Sequence, residues 1–143
     1  MGTRPCSKAT TTLQEHEAIH VAHGTSLAFA CDIQAHGLSE RAILSRGRGS
    51  IRPGHFFVFL VDPPPHPGPG LQLAYEFSLR RSPPRAVLVG QLPRVVWENL
   101  ESFGLIETVV LPGAPIGETV FRPGAFATID AYNLSRWQLL PFP

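Results

Sequence analysis

Fifteen prolines and thirteen glycines divide a chain of 143 residues into short pieces. Proline locks φ at about −65° and offers no amide hydrogen to a ladder. Glycine accepts positive φ, where other residues are strained. Long helices and long uninterrupted strands fit poorly between such breaks. The spacing points instead to many short strands joined by tight turns, the habit of an all-β fold. Hydrophobic residues make up 43% of the chain, enough for one domain with its own core.

Alternation picks out the segments. Residues 26–33 place Leu27, Phe29, Cys31 and Ile33 on one face, and residues 71–79 place Leu71, Leu73, Tyr75, Phe77 and Leu79 on one face. Both read as half-buried strands. His55-Phe-Phe-Val-Phe-Leu-Val61 is apolar on both faces and reads as a strand covered on both sides. Residues 85–92, 105–111 and 125–132 are further strand candidates, with 42–44 and 137–140 as shorter ones. One short helix is expected near 93–103. Val96, Leu100 and Phe103 there recur at helical spacing, and Gly104 can end it. Pro53-Gly54 and Pro123-Gly124 each precede an apolar segment. Pro-Gly suits the centre of a type II turn, so each pair is expected to reverse the chain into a strand. Asp62-Pro-Pro-Pro-His-Pro-Gly-Pro-Gly70 reads as a stiff exposed loop. Residues 1–17 are polar and read as a flexible arm, leaving 18–143 as a single β-rich domain.

The formal charge is +1 at pH 7, which draws the chain toward neither nucleic acid nor an anionic membrane. No apolar run approaches the roughly 20 residues of a spanning helix. Met1 to Lys8 leads into Thr10-Thr11-Thr12, so no secretory signal is expected. Cys6 and Cys31 make no disulfide framework and fit a reducing compartment.

Five groups of residues bear on possible chemistry. His16, His20 and His23 would align three imidazoles on a helix, a geometry zinc can use. Ile19-His20-Val21-Ala22 reads equally as extended, which would spread the rings. Arg46-Gly47-Arg48-Gly49, with Arg41 and Arg52 nearby, can hold phosphate through guanidinium and backbone amides but is no P-loop. Ser45, Ser50, Ser78 and Ser102 lie outside any Gly-x-Ser-x-Gly elbow. Glu98 and Glu101 would sit one turn apart on a solvated helix face. Pro64-Pro65-His66-Pro67 can present a polyproline II ligand.

Three stretches share an order worth noting. Gly104 to Gly113 is an apolar strand ending in Pro-Gly, followed by Ile116-Gly117-Glu118 and then Ala127-Thr128-Ile129-Asp130-Ala131-Tyr132-Asn133-Leu134-Ser135. Upstream stand Ile51-Arg52-Pro53-Gly54-His55-Phe56-Phe57-Val58 and Ala18 to Thr25. In this order the chain resembles the dUTPase superfamily, over about half its length. The resemblance implies a jelly-roll or β-barrel. The departures imply lost catalysis. Between Gly113 and Gly117 the family carries a water-activating Asp and a Tyr for deoxyribose, and here the gap holds only Ala114-Pro115-Ile116. Val61-Asp62-Pro63-Pro64 stands in place of the family's phosphate motif.

The expectation is therefore a non-catalytic, dUTPase-like β domain acting by protein–protein binding. Herpesviruses and adenoviruses carry such dUTPase-related proteins, which implies a host or viral protein partner inside an infected cell. No cofactor, metal or nucleic acid is expected. Arg46, Arg48, His66 and Trp137 are the candidate partner contacts. One alternative is a nucleotide-binding or nucleotide-hydrolysing enzyme. It would use Arg46, Arg48 and Arg52 as a phosphate clamp, and Asp32, Asp62 or Asp130 as metal ligand or base. The other is a structural virion or phage β-sandwich.

Overall fold

The strand that organises the structure is β1, Ala18–Ser26. Its β-branched Ile19, Val21 and Thr25 suit a pleated, partly buried surface. In the computed structural model, which describes residues 18–39, 56–62, 68–109 and 118–142, β1 lies near the middle of one antiparallel sheet. It pairs with β2, Phe56–Val61, through Ala22↔Phe59 and His20↔Val61. On its other side it pairs with β3, Arg85–Pro93, from Ala18↔Pro93 to Ser26↔Arg85. Outside these lie β4, Ile106–Val109, β5, Glu118–Phe121, and β6, Gln138–Phe142. The strand order is β4-β5-β2-β1-β3-β6, with every pairing antiparallel.

Among the described residues, four helices cover this sheet. The first, α1, spans Leu27–His36 and starts directly where β1 ends. Ser26 caps it, its hydroxyl accepting from the Phe29 amide at 3.2 Å. Gly37 ends it at φ 83°, donating its amide to the Ile33 carbonyl. The second, α2, spans Pro69–Ser78, with Pro69 in its first turn. The third, α3, spans Arg94–Ser102, and α4 spans Phe126–Asn133 behind a short 3-10 turn at Pro123–Ala125.

Strand alternation gives the sheet two different faces. The first carries Val21, Phe56, Val58, Leu88, Ile106 and Phe121. Phe29 and Ile33 of α1, Trp97 and Leu100 of α3, and Phe126 and Ile129 of α4 pack against it. Each fully buried side chain of this size contributes about 1.5–3 kcal/mol, so this layer holds most of the core. The second face carries Ala22 and Val87, with Ala74 of α2 between them, ringed by half-buried Phe59, Tyr75, Leu140 and Phe142. Gly24 makes this approach possible. A Cβ there would overlap the Ala74 carbonyl oxygen, so helix and strand backbones touch.

Two polar side chains tie the layers together. Asp130 of α4 accepts from the amides of Leu38 and Ser39 and from the Ser39 hydroxyl, at 2.6–2.9 Å. Asn133 bonds the backbone of Gln91 where β6 stops covering β3.

This arrangement corrects the all-β reading. The sheet is a single open one with helices on both faces, a mixed α/β fold rather than a jelly-roll or barrel. Residues expected as strands at 26–33, 71–79 and 125–132 are α1, α2 and α4. Pro123-Gly124 leads into a helix, not a strand. The strands expected at 85–92 and 137–140, the double-faced strand before Val61, and the helix near 93–103 are all present. β4 occupies Ile106–Val109 of the strand expected at 105–111, and residues 110–111 lie outside the described residues. The arm 1–17, the segment 42–44 and the turn Pro53-Gly54 lie outside the described residues.

Candidate functional site

The second face of the sheet gathers polar chemistry at one corner. Glu118 opens β5 and stands opposite Phe59 of β2. Phe59 meets Phe77 of α2 edge-on, with ring centroids 6.1 Å apart. Directly after α2 the chain turns, and the Arg80 guanidinium lies 4.3 Å from the centre of the Phe77 ring. Arg80 is also the cation that acts on Glu118. Burial pushes the Glu118 carboxyl above the usual range, and the Arg80 charge opposes that push. A half-buried carboxyl and a stacked guanidinium thus share a floor of two phenyl rings.

A second titratable group lies beneath the sheet. His23 projects from β1 to the first face, and its ring sits 4.0 Å from that of Phe56. Its Nδ1 is 2.7 Å from the Phe57 carbonyl. A carbonyl only accepts, so the neutral ring carries its proton on Nδ1, and Nε2 is an acceptor. Burial drives the His23 pKa down to about 4, against the raising effect of the Phe57 bond.

Those of the residues offered by the sequence that the structure describes do not converge. β1 is extended, so His20 and His23 point to opposite faces and do not form an aligned imidazole set. Among the described residues no group of three or more His, Cys, Asp or Glu is placed to hold a metal ion. Asp130 spends its carboxylate on the α1 terminus, Asp32 pairs with His36 at 3.7 Å on α1, and Asp62 lies beside Gly68. Among the described residues, these three carboxylates are not gathered into one metal-holding group. The hydroxyls of Ser78 and Ser102 donate to the carbonyls of Tyr75 and Asn99 within their own helices. Glu98 and Glu101 are exposed. Cys31 is a free, exposed thiol on α1.

Trp137, a candidate partner contact in the sequence, faces inward. It is 2% exposed and packs over Gly90 and beside Phe56 inside the core. Arg46, Arg48, Arg52, His66, His16 and Ala114-Pro115-Ile116 lie outside the described residues.

Sequence reasoning missed Glu118 and Arg80 as a pair. A carboxylate heading the apolar run Glu118-Thr-Val-Phe121 was a readable signal. Arg80 was not, because its position depends on 69–78 being helical. No family model, curated protein or solved structure matches the chain. No helix among the described residues is long and apolar enough to cross a membrane.

Proposed function

We propose that this chain acts by binding a phosphorylated nucleoside at the Glu118 corner, without turning it over. The observation that carries this reading is the convergence of Glu118, Arg80, Phe59 and Phe77 on one end of the sheet. The chemistry matches such a ligand part by part. A carboxylate accepts from paired sugar hydroxyls, a guanidinium takes phosphate in bidentate fashion, and phenyl rings receive a flat base. Partial burial of Glu118 strengthens its polar contacts by excluding water.

The test is calorimetric titration of the full chain with a panel of nucleoside mono- and diphosphates, followed by chromatography of the ligand. One or more should bind and be recovered intact. Glu118→Gln and Arg80→Ala should each weaken binding by about tenfold or more, equivalent to about 1.4 kcal/mol. Absence of binding across the panel would sink the ligand reading, and conversion of the ligand would sink the binding-only part.

A protein partner is the second reading, and one observation favours it. Val95 and Phe103, on α3 and just past its end, are each 72% exposed. Exposed aromatic side chains such as Phe103 are enriched at interfaces. Loss of a captured partner in Val95→Ser/Phe103→Ser, with nucleotide titration unchanged, would favour this reading.

A further inference from the structure

Among the described residues, the outer edge of β6 offers fewer hydrogen-bonding groups than a strand of its length normally would. The phase of the ladder shows why. Asn133 takes both the amide and the carbonyl of Gln91 from the β6 side of β3, so the Gln91 backbone points that way. Antiparallel pairing repeats every second residue. Val89, Val87 and Arg85 therefore also point toward β6, and their partners Gln138, Leu140 and Phe142 point back. Trp137, Leu139 and Pro141 are left facing outward.

Two devices occupy that outward row. Gln34 of α1 reaches across with its side-chain amide, which donates to the Trp137 carbonyl at 2.7 Å. The Gln34 backbone carbonyl accepts from the Ser135 amide at 3.0 Å. The Trp137 amide turns inward to the Asn133 carbonyl. At the other end stands Pro141, which has no amide hydrogen. On the inward row that proline would have broken the ladder with β3, whereas on the outward row it removes only a donor an incoming strand would need. Over residues 135–142 the outward-facing amide that these devices leave is that of Leu139.

We propose that Gln34 and Pro141 close the β6 edge against strand addition, so that a second copy of the chain does not extend the sheet at this edge. An exposed edge is a template for pairing, and both a proline and a covering side chain block it.

Amide exchange on the wild-type chain followed by NMR tests the phase directly. The Leu139 amide should exchange orders of magnitude faster than those of Leu140 and Phe142. Equal protection of Leu139 and Leu140 would overturn the inference. Light scattering over a concentration series tests the consequence. Pro141→Val should show concentration-dependent doubling of mass relative to wild type, and adding Gln34→Ala should shift the doubling to lower concentration. Adding Leu139→Pro to Pro141→Val should restore the wild-type mass. No mass change in Pro141→Val, or doubling that survives Leu139→Pro, would overturn it. The exchange experiment needs no variant, so it stands even if a substituted chain fails to fold.

Discussion

Asn133 holds Gln91 as a neighbouring strand would: its Oδ1 accepts from the Gln91 amide at 2.8 Å and its Nδ2 donates to the Gln91 carbonyl at 3.0 Å. The same Nδ2 also donates to the Ile129 carbonyl at 2.9 Å. One buried side chain thus completes the β3 ladder beyond β6 and closes the last turn of α4. Asn133→Ala leaves these groups without their partner and should cost about 2–3 kcal/mol. A lowered urea midpoint with an unchanged slope would show it.

Gly24 and Gly104 should respond oppositely to their surroundings when substituted. At Gly24 a Cβ meets the backbone of α2, which cannot rotate aside. Gly24→Ala should therefore cost about 2 kcal/mol or more and loosen α2. At Gly104 nothing lies within 4 Å, but φ is +73°. Gly104→Ala should cost only about 1 kcal/mol, from backbone strain alone. Thermal unfolding of the two variants separates the cases, and equal costs would contradict the contact at Gly24.

His23 makes stability depend on acid. Its pKa is about 4 when folded, against 6.5 for an ordinary histidine. Between those values the unfolded chain binds a proton that the folded chain refuses. Stability should fall as pH drops from about 6.5 toward 4, by up to about 3 kcal/mol at 1.36 kcal/mol per unit. His20, also lowered by burial, acts in the same direction. Denaturant titrations across pH should show this slope, and His23→Gln should remove most of it.

Glu118 predicts the opposite sign. Burial raises its pKa, so the folded state disfavours the ionised form. Its contribution to stability is present at low pH and is lost as pH rises through its unfolded and then its folded value. Glu118→Gln should thus be more stable than wild type at pH 7 and equal to it in strong acid. The same variant should bind nucleotide more weakly. A gain in stability joined to a loss of binding is the mark of a side chain kept for its ligand.

Part of this fold was legible and part was not, for physical reasons. The apolar runs of β2 and β3 and the helical spacing of α3 sit in plain view because large side chains mark both their buried faces and their ends. α2 hides because Ala74 and Ser78, the residues it buries against the sheet, are small and carry no hydrophobic signal. Leu71, Leu73, Tyr75, Phe77 and Leu79 alternate by coincidence, and the close contact with Gly24 decides for helix. α4 hides for a related reason, since one of its buried positions is Asn133. α1 did carry its own caps, Ser26 and Gly37, at the right separation. Those end signals were the better guide than alternation between them. The site was less legible than the fold, because Arg80 reaches Phe77 and the neighbourhood of Glu118 only once α2 forms.

The pairing of β1 also sets the timing of folding. Neither neighbour of β1 is close in sequence: Ala22 pairs with Phe59 and with Val89, and Ala18 with Pro93. During synthesis β1 leaves the ribosome first and has no partner until β2, and then β3, have been made. Contacts this distant close large loops before they repay any energy, so assembly is slow and all-or-none. The exposed backbone of a waiting β1 is then what a chaperone or a stray strand would meet first.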